Sequence, residues 1–410
     1  MPAMNRRNVL KGLAAAASLS GLPARARAAD AAGKLKVTKL VYHRATLRWR
    51  DLLFVEVHTD AGIVGLGEAT CHARVDVVEG ALRWLEPYLI GVDPSGPEAH
   101  MDRMNYRLSR WNSGIIPRTA MSAIDIAFWD IEGKRLGVPV WRLLGGPIQR
   151  RFRAYYTHWN AALASSSPEA YGQWAAETVK NGWTAVKFSV PGRNLAESAR
   201  ITALSSILAA IRKAVGDKLD IGLELGESLT VRSAVRMAEA IQPFHPLFME
   251  EPLPRENLLE FGELAAKSPV PIATGEGQLS RFEFRPLLER KGAQIIQPDV
   301  VKCGGITEIR KIANLAEVYG VEVAPHQCYG PIAHVASLAA MSVCHNFLIH
   351  EWEAADDKVF QELTNGAYPV QQGGSIALPE RPGLGIEVNF GEFVRRFPFK
   401  NLGAQAERTA

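Results

Sequence analysis

The stretch 246–258, PLFMEEPLPRENL, sets an apolar run directly before two adjacent carboxylates, Glu250 and Glu251. A short apolar run bounded by turn residues reads as a buried strand, and here the strand ends on charge. Outward from it the same rhythm recurs. Short β-like runs stand at RAYYT (153–157), TAVKFSV (184–190), DIGLELG (220–226), VPIATGE (270–276), AQIIQPD (293–299), VEVAPH (321–326) and NFLIHEW (346–352). Helical periodicity fills the gaps, as in SAVRMAEAIQPF (233–244) and ITEIRKIANLAEVYG (306–320). Eight strands alternating with helices fit an α/β protein built on a (β/α)8-type barrel, which needs roughly 250 residues. A doubly wound open sheet is the alternative pattern, but no Gly-rich phosphate turn follows the first strand.

Before the barrel, LLFVEVHT (52–59), DAG (60–62) and IVGLGEAT (63–70) read as strand, turn and strand, and helical patterns then run to about 137, where Gly137 and Pro139 mark a stop. This predicts an α+β domain over 35–150, with the barrel over 151–375. The first residues differ in kind. Residues 1–28 have a charged start, an apolar stretch from Gly12 to Leu22 and a small-residue pattern at Ala26-Arg27-Ala28, which is an export signal. Arg6-Arg7 before Asn8-Val9-Leu10-Lys11 fits the twin-arginine type, with a general secretory signal as the plainer reading. A periplasmic destination is expected. That segment carries five basic residues and no acidic one, so its removal takes the formal charge from +4 to −1. The basic balance therefore supports neither nucleic-acid nor membrane-surface binding. The four cysteines, Cys71, Cys303, Cys328 and Cys344, show no zinc-like spacing and read as buried thiols.

In a barrel of this kind the strand C-termini carry the chemistry. Glu224, Glu250 and Glu276 end three successive runs at equal intervals of 26 residues. Singly, each is more often a salt-bridged loop residue. Together they bring three negative charges to one mouth, a repulsion that a hard divalent cation relieves. Mg²⁺, one per subunit, suits oxygen ligands with room for substrate. Strand side chains alternate, so Glu250 is assigned to the metal and Glu251 to a supporting hydrogen-bonding or ion-pairing role. Asp299 and His326 end the next two runs. A carboxylate beside an imidazole orients the ring and raises its basicity, which suits general-base work.

These residues, together with RTAMSAIDIAFWDIEGKRLGVPVWRLLGG (118–146), DLLFVEVHTDAGIVGLGEA (51–69) and QPDVVKCGGITE (297–308), resemble the enolase superfamily in its mandelate racemase/muconate lactonizing enzyme-like branch. The resemblance implies a modified TIM barrel under an α+β N-terminal capping domain, with 376–410 returning to the cap. It also implies Mg²⁺ on the carboxylate of an acid substrate, ligands Glu224, Glu250 and Glu276, base His326 and its partner Asp299. Glu351 matches the acid of the eighth strand, which can hydrogen-bond the substrate carboxylate when protonated. Racemases of the branch carry Lys-x-Lys on the second strand; here Lys187 is kept and the second place is Ser189, so one-base chemistry is expected. LELGES (223–228) has Glu224 where Asp is usual, and Gly226 where some sugar-acid dehydratases place the acid that expels the hydroxyl. That leaves His326 for both proton steps, in a syn elimination, with Lys187 or a cap residue as possible substitutes. HRATLRWRD (43–51) and CHARVD (71–76) fall in the family's specificity loops, which makes Arg48, Trp49, His72 and Trp111 candidate substrate contacts; His158 and Trp159, in YYTHWN (155–160), are two more. The function implied is a galactonate dehydratase-like hydro-lyase acting on a small acid sugar, in a homo-oligomer. A sugar-acid racemase or epimerase, a lactone cycloisomerase and a non-catalytic periplasmic binding protein are the other readings.

Overall fold

The computed structural model describes residues 35–106 and 113–403. The expected signal at 1–28, Trp111 and residues 404–410 lie outside the described residues. Three antiparallel strands, β1 (Val37–Leu47), β2 (Arg50–Thr59) and β3 (Val64–Glu68), form the first sheet in sequence order. β1 and β2 are joined by Arg48 and Trp49 alone, with Arg48 at φ +56. Helices α1 (Val75–Leu89), α2 (Pro97–Tyr106) and α3 (Ile115–Leu136) follow. Residues 119–131 of α3 are buried without a break, because the sheet covers one side and the barrel the other. A Cβ at Gly65 or Gly67 would run into the α3 backbone at Ala127 or Ala123, so these glycines set how closely sheet and helix approach. Gly137, left-handed at φ 69, closes α3 by returning its N–H to the carbonyls of Gly133 and Lys134.

The barrel strands are β4 (Arg151–Tyr156), β5 (Ala185–Ser189), β6 (Asp220–Glu224), β7 (Phe248–Glu250), β8 (Ile272–Thr274), β9 (Ile295–Ile296), β10 (Glu322–Val323) and β11 (His350–Trp352). All pair in parallel in the order β10-β9-β8-β7-β6-β5-β4-β11. The ring closes where Val323 N donates to Asn346 O (2.8 Å) and Leu348 N to Val323 O (2.9 Å). A short strand, β12 (Ser375–Ala377), adds antiparallel to β4. Each barrel strand leads into a helix, and the inside is filled by Tyr155, Ala185, Phe248, Ala273, Ile295, Ala324 and Ile349. Gly222 makes room for that filling: a Cβ there would lie 2.7 Å from the Phe248 ring.

Cap and barrel are joined by buried carboxylates at helix starts. Glu68, the last residue of β3, accepts from Gly330 N (2.7 Å) and Ala333 N (2.9 Å), where the helix Pro331–Met341 begins. Asp125 of α3 accepts from Thr307 N (2.9 Å) and Thr307 Oγ1 (2.6 Å) at the start of Gly305–Val318. Free N–H groups and the positive end of the dipole at a helix start favour such anions. Buried Arg50 adds a third tie, to Tyr329 O (2.8 Å) and Asp356 Oδ2 (2.5 Å). The C-terminal stretch lies on the β1–β2 hairpin, with Thr46 N donating to Phe397 O (3.1 Å) and Leu402 N to Asp51 Oδ2 (2.6 Å). No helix among the described residues is long and apolar enough to cross a membrane.

Candidate active site

Strand register assembles the mouth of the barrel. Ser189 pairs with Glu224 and Glu224 with Glu250, so the last residues of β5, β6 and β7 stand in one row. Glu276 lies two residues past β8, beyond Gly275 at φ +129. Asp299 and His326 lie beyond β9 and β10 and are matched to each other by a parallel bridge. The strands thus end earlier than the apolar runs suggest, and the chemistry sits on their extensions. Ser189, Glu224, Glu250, Glu276 and His326 surround a cavity of about 400 Å³ lined also by Thr157, His158, Lys187, Arg193, Gly226, Glu227, Glu251, Arg255 and Glu351, with Asp299 behind the His326 ring. That is the size of a small-molecule site.

His326 is buried. Its Nδ1 faces Asp299 Oδ2 at 2.9 Å and its Nε2 faces Glu276 Oε2 at 3.2 Å. Asp299 is held by Val301 N (2.8 Å) and Lys302 Nζ (3.2 Å), which fixes the carboxylate that orients the ring. Burial lowers the basicity of His326, but the negative charges around it, Glu276 first and Glu351 with it, together outweigh burial and hold the imidazole well above its usual range. On the other wall Lys187 Nζ bridges Glu250 Oε1 (2.6 Å) and Glu351 Oε1 (2.8 Å). Glu351 also accepts from Thr157 Oγ1 (2.6 Å) and Gln327 N (2.6 Å). Burial raises its carboxyl, yet the Lys187 and His326 charges win and hold it below its usual range. The arrangement thus favours the ionised form of Glu351, not the protonated donor that the resemblance implies.

Six glutamates line the cavity against three lysine or arginine side chains. Glu224 shows the consequence: burial, then the Glu250 charge beside it, pushes its carboxyl well above the usual range. Glu251 is pushed up to about 7 by burial and the Glu276 charge, and its Oε2 has no hydrogen-bond partner. Glu276 goes the other way, to about 2: burial raises it, but Lys302, His326, Lys187 and Arg255 outweigh burial. Hard carboxylate oxygens in excess, one of them orphaned, are the donor chemistry that suits Mg²⁺. The expected cage is nevertheless not closed, and no cluster of three such groups in metal-holding geometry occurs among the described residues. The reason is competition: Lys187 Nζ and Gln297 Nε2 (2.5 Å) hold Glu250, while His326, Arg255 (3.8 Å) and Lys302 (3.8 Å) surround Glu276.

The candidate substrate contacts divide. Ser189 and His158 line the cavity. His158, left-handed at φ 47, places its Nδ1 2.7 Å from Glu353 Oε2 and receives the edge of Trp49 at 4.9 Å. Arg48 stands behind it, 3.4 Å from Glu353 Oε1, and Trp49 also meets His72 at 5.5 Å. Trp159 is a correction. The chain reverses at His158, which turns the next side chain away from the mouth, so Trp159 is fully buried against Tyr171, Trp174 and Phe188 and donates to Thr178 Oγ1 (2.7 Å). It is a packing residue.

Arg193, Arg255, Lys302 and Gln297 escape notice in the sequence. Lys302, three residues after Asp299 inside QPDVVKCGGITE, carried a signal in its spacing from that carboxylate. Arg255 belongs to the opening stretch itself and bonds Glu227, a contact that depends on the loop's path. The chain matches known proteins over most of its length. Residues 32–145 match the mandelate racemase / muconate lactonizing enzyme N-terminal domain, and residues 170–392 match the enolase C-terminal domain-like family. A D-galactonate dehydratase of Xanthomonas oryzae pv. oryzae (strain PXO99A) is 36% identical over 363 residues, 87% of this chain and 92% of the relative. One from Variovorax paradoxus (strain S110) is 35% identical over the same length. Among solved structures, a member of the enolase superfamily from Salmonella Typhimurium superposes with TM-score 0.82 at 30% identity, covering 89% of this chain and 98% of that one. A mandelate racemase/muconate lactonizing enzyme-like protein from Roseovarius sp. TM1035 gives 0.81 at 32% identity, covering 89% and 96%.

Proposed function

Because this chain belongs to the mandelate racemase/muconate lactonizing enzyme family of the enolase superfamily, we propose that it is a sugar-acid dehydratase of the galactonate type. The observation that carries this reading is the buried Asp299–His326 pair with Nε2 turned into the carboxylate-lined cavity. Glu224, Glu250 and Glu276 would hold Mg²⁺, which when bound supplies positive charge to the substrate carboxylate. His326 Nε2 takes the proton from the carbon next to that carboxylate, while Asp299 keeps Nδ1 protonated and the ring in place. The C–H electron pair moves into an enediolate, whose negative charge Lys187 Nζ, on the cavity wall, would offset. The pair then forms the Cα–Cβ double bond as the β-hydroxyl leaves, and the proton on His326 goes with it as water. The enol that remains becomes a 2-keto-3-deoxy acid. Ser189 supplies no nitrogen base on the second strand, which favours elimination over two-base racemisation.

Purified protein with Mg²⁺ and a panel of acid sugars, D-galactonate first, should form keto acid. His326→Asn should lose this turnover by about 10³-fold with its circular dichroism unchanged. Keto acid from the variant at the wild-type rate would remove His326 from the mechanism, and an epimerised substrate without keto acid would favour the isomerase reading. The proposal includes export by way of residues 1–28 and assembly as a homo-oligomer. Periplasmic fractionation of the full chain and light scattering of the purified protein test these two parts.

A further inference from the structure

The basic side chains around the cavity are taken up by carboxylates, with one exception. Lys187 bridges Glu250 and Glu351, Arg255 bonds Glu227, and His158 bonds Glu353. Arg193, among the described residues, meets no carboxylate; its Nη2 donates to a carbonyl, Gly226 O, at 2.7 Å. A guanidinium offers five N–H groups, so most of its donors stay available to a ligand. The residue reaches the cavity from the turn after β5, where Gly192 takes φ +79 and Leu195 N returns to Gly192 O (2.9 Å).

What it reaches is a gap. Gly226, at φ +59, has no side chain, and a Cβ there would stand 3.7 Å from Glu224 Oε1 and 3.9 Å from Arg193 Nη1. The space that a residue at 226 would fill is therefore bordered by a carboxylate on one side and a guanidinium on the other. The resemblance places an acid for the leaving hydroxyl at that position, and this chain has none there.

We propose that Arg193 is a catalytic residue for the elimination step: it donates hydrogen bonds to the β-hydroxyl as that group departs, from the space Gly226 leaves open. This rests on the dehydratase reading. The guanidinium keeps its own protons, so it lowers the cost of negative charge on the departing oxygen and does not protonate it. In the first step the α C–H bond breaks, its proton goes to His326 Nε2 and its electron pair to the enediolate. In the second, that pair forms the Cα–Cβ double bond, the Cβ–O bond breaks, and the oxygen takes the His326 proton and leaves as water. Arg193 acts on the second step alone.

The test separates the two steps. Wild type, R193A, R193M and R193K are incubated with Mg²⁺ and D-galactonate, or the acid sugar the wild type turns over best, in D₂O. Keto acid is measured against deuterium at Cα of the recovered substrate. R193A and R193M should lose about 10²-fold in kcat for keto acid, the scale for removing one transition-state donor, with KM little changed. Deuterium should still enter Cα of the unconverted substrate, and R193K should fall between. Keto acid formation unchanged in R193A, or loss of elimination together with exchange, would overturn the role of Arg193. A wild type that neither exchanges nor eliminates overturns the dehydratase reading itself, a separate result.

Discussion

Two groups of buried carboxylates in this molecule face opposite fates. At the cap–barrel junction, Glu68 and Asp125 meet backbone N–H groups at helix starts. At the mouth, Glu224, Glu250 and Glu276 are crowded together, and cationic side chains answer two of them. Helix-start N–H groups and neutral hydroxyls answer the junction carboxylates, so that region serves stability. Side-chain ammonium and imidazole groups can exchange partners, so the mouth can accept a cation and a substrate. The functional group is the same in both places. What differs is the charge of the neighbouring donors: neutral N–H and O–H groups at the junction, and Lys187, Arg255, Lys302 and His326 at the mouth.

The largest effect expected from this contrast falls on the mouth. Stripping divalent ions with a chelator should cut keto-acid formation by at least about 100-fold, with Mg²⁺ restoring it and the thermal melt of the barrel holding. Full turnover in rigorously stripped protein would put an end to the metal role of the three glutamates. The junction should behave in the opposite sense. Asp125→Ala leaves Thr307 N buried without its acceptor and should cost about 2–4 kcal/mol in a denaturant melt, with kcat per folded molecule little changed. A variant as stable as wild type would show that the helix start finds another partner.

The smallest effect sharpens the comparison through pH. Burial raises the Glu68 carboxyl from 4.5 to about 7. The folded state therefore binds this proton more tightly than the unfolded chain, and its contribution is fully present below pH 4.5 and is lost as pH rises through about 7. Glu68→Gln should remove that part of the slope, a difference of about 1–3 kcal/mol between the two ends of the window. Parallel stability curves for the two proteins from pH 4.5 to 7.5 would contradict it.

Much of the architecture could be read along the chain. Apolar runs at 184–190, 220–226 and 246–251 are too short for helices and end in turn residues, and the helical segments between them keep their period. Such signals are local, and a barrel repeats them. The site was legible to the extent that its residues follow strands: Glu224 and Glu250 are the last residues of β6 and β7. Trp159 shows where this stops. It follows the first barrel strand as closely as His158 does, but one left-handed residue turns it into the packing layer. Asp125 is hidden for another reason: inside SAIDIAFWD it is one of two acids in a buried, mostly apolar run, and the helix start that explains it lies 182 residues on.

The sequence by itself determined the alternation of strand and helix, the membership in the family, and which acids and histidine would follow the strands toward one mouth, because each depends on neighbours a few residues apart. Only the tertiary structure decided which charge answers which: that Lys187 takes Glu250 and Glu351, that Arg255 stands between Glu227 and Glu276, and that Arg193 faces the empty place at Gly226. Coulomb and hydrogen-bond energies depend on distances through space, and across a closed barrel those distances join residues that the chain keeps far apart.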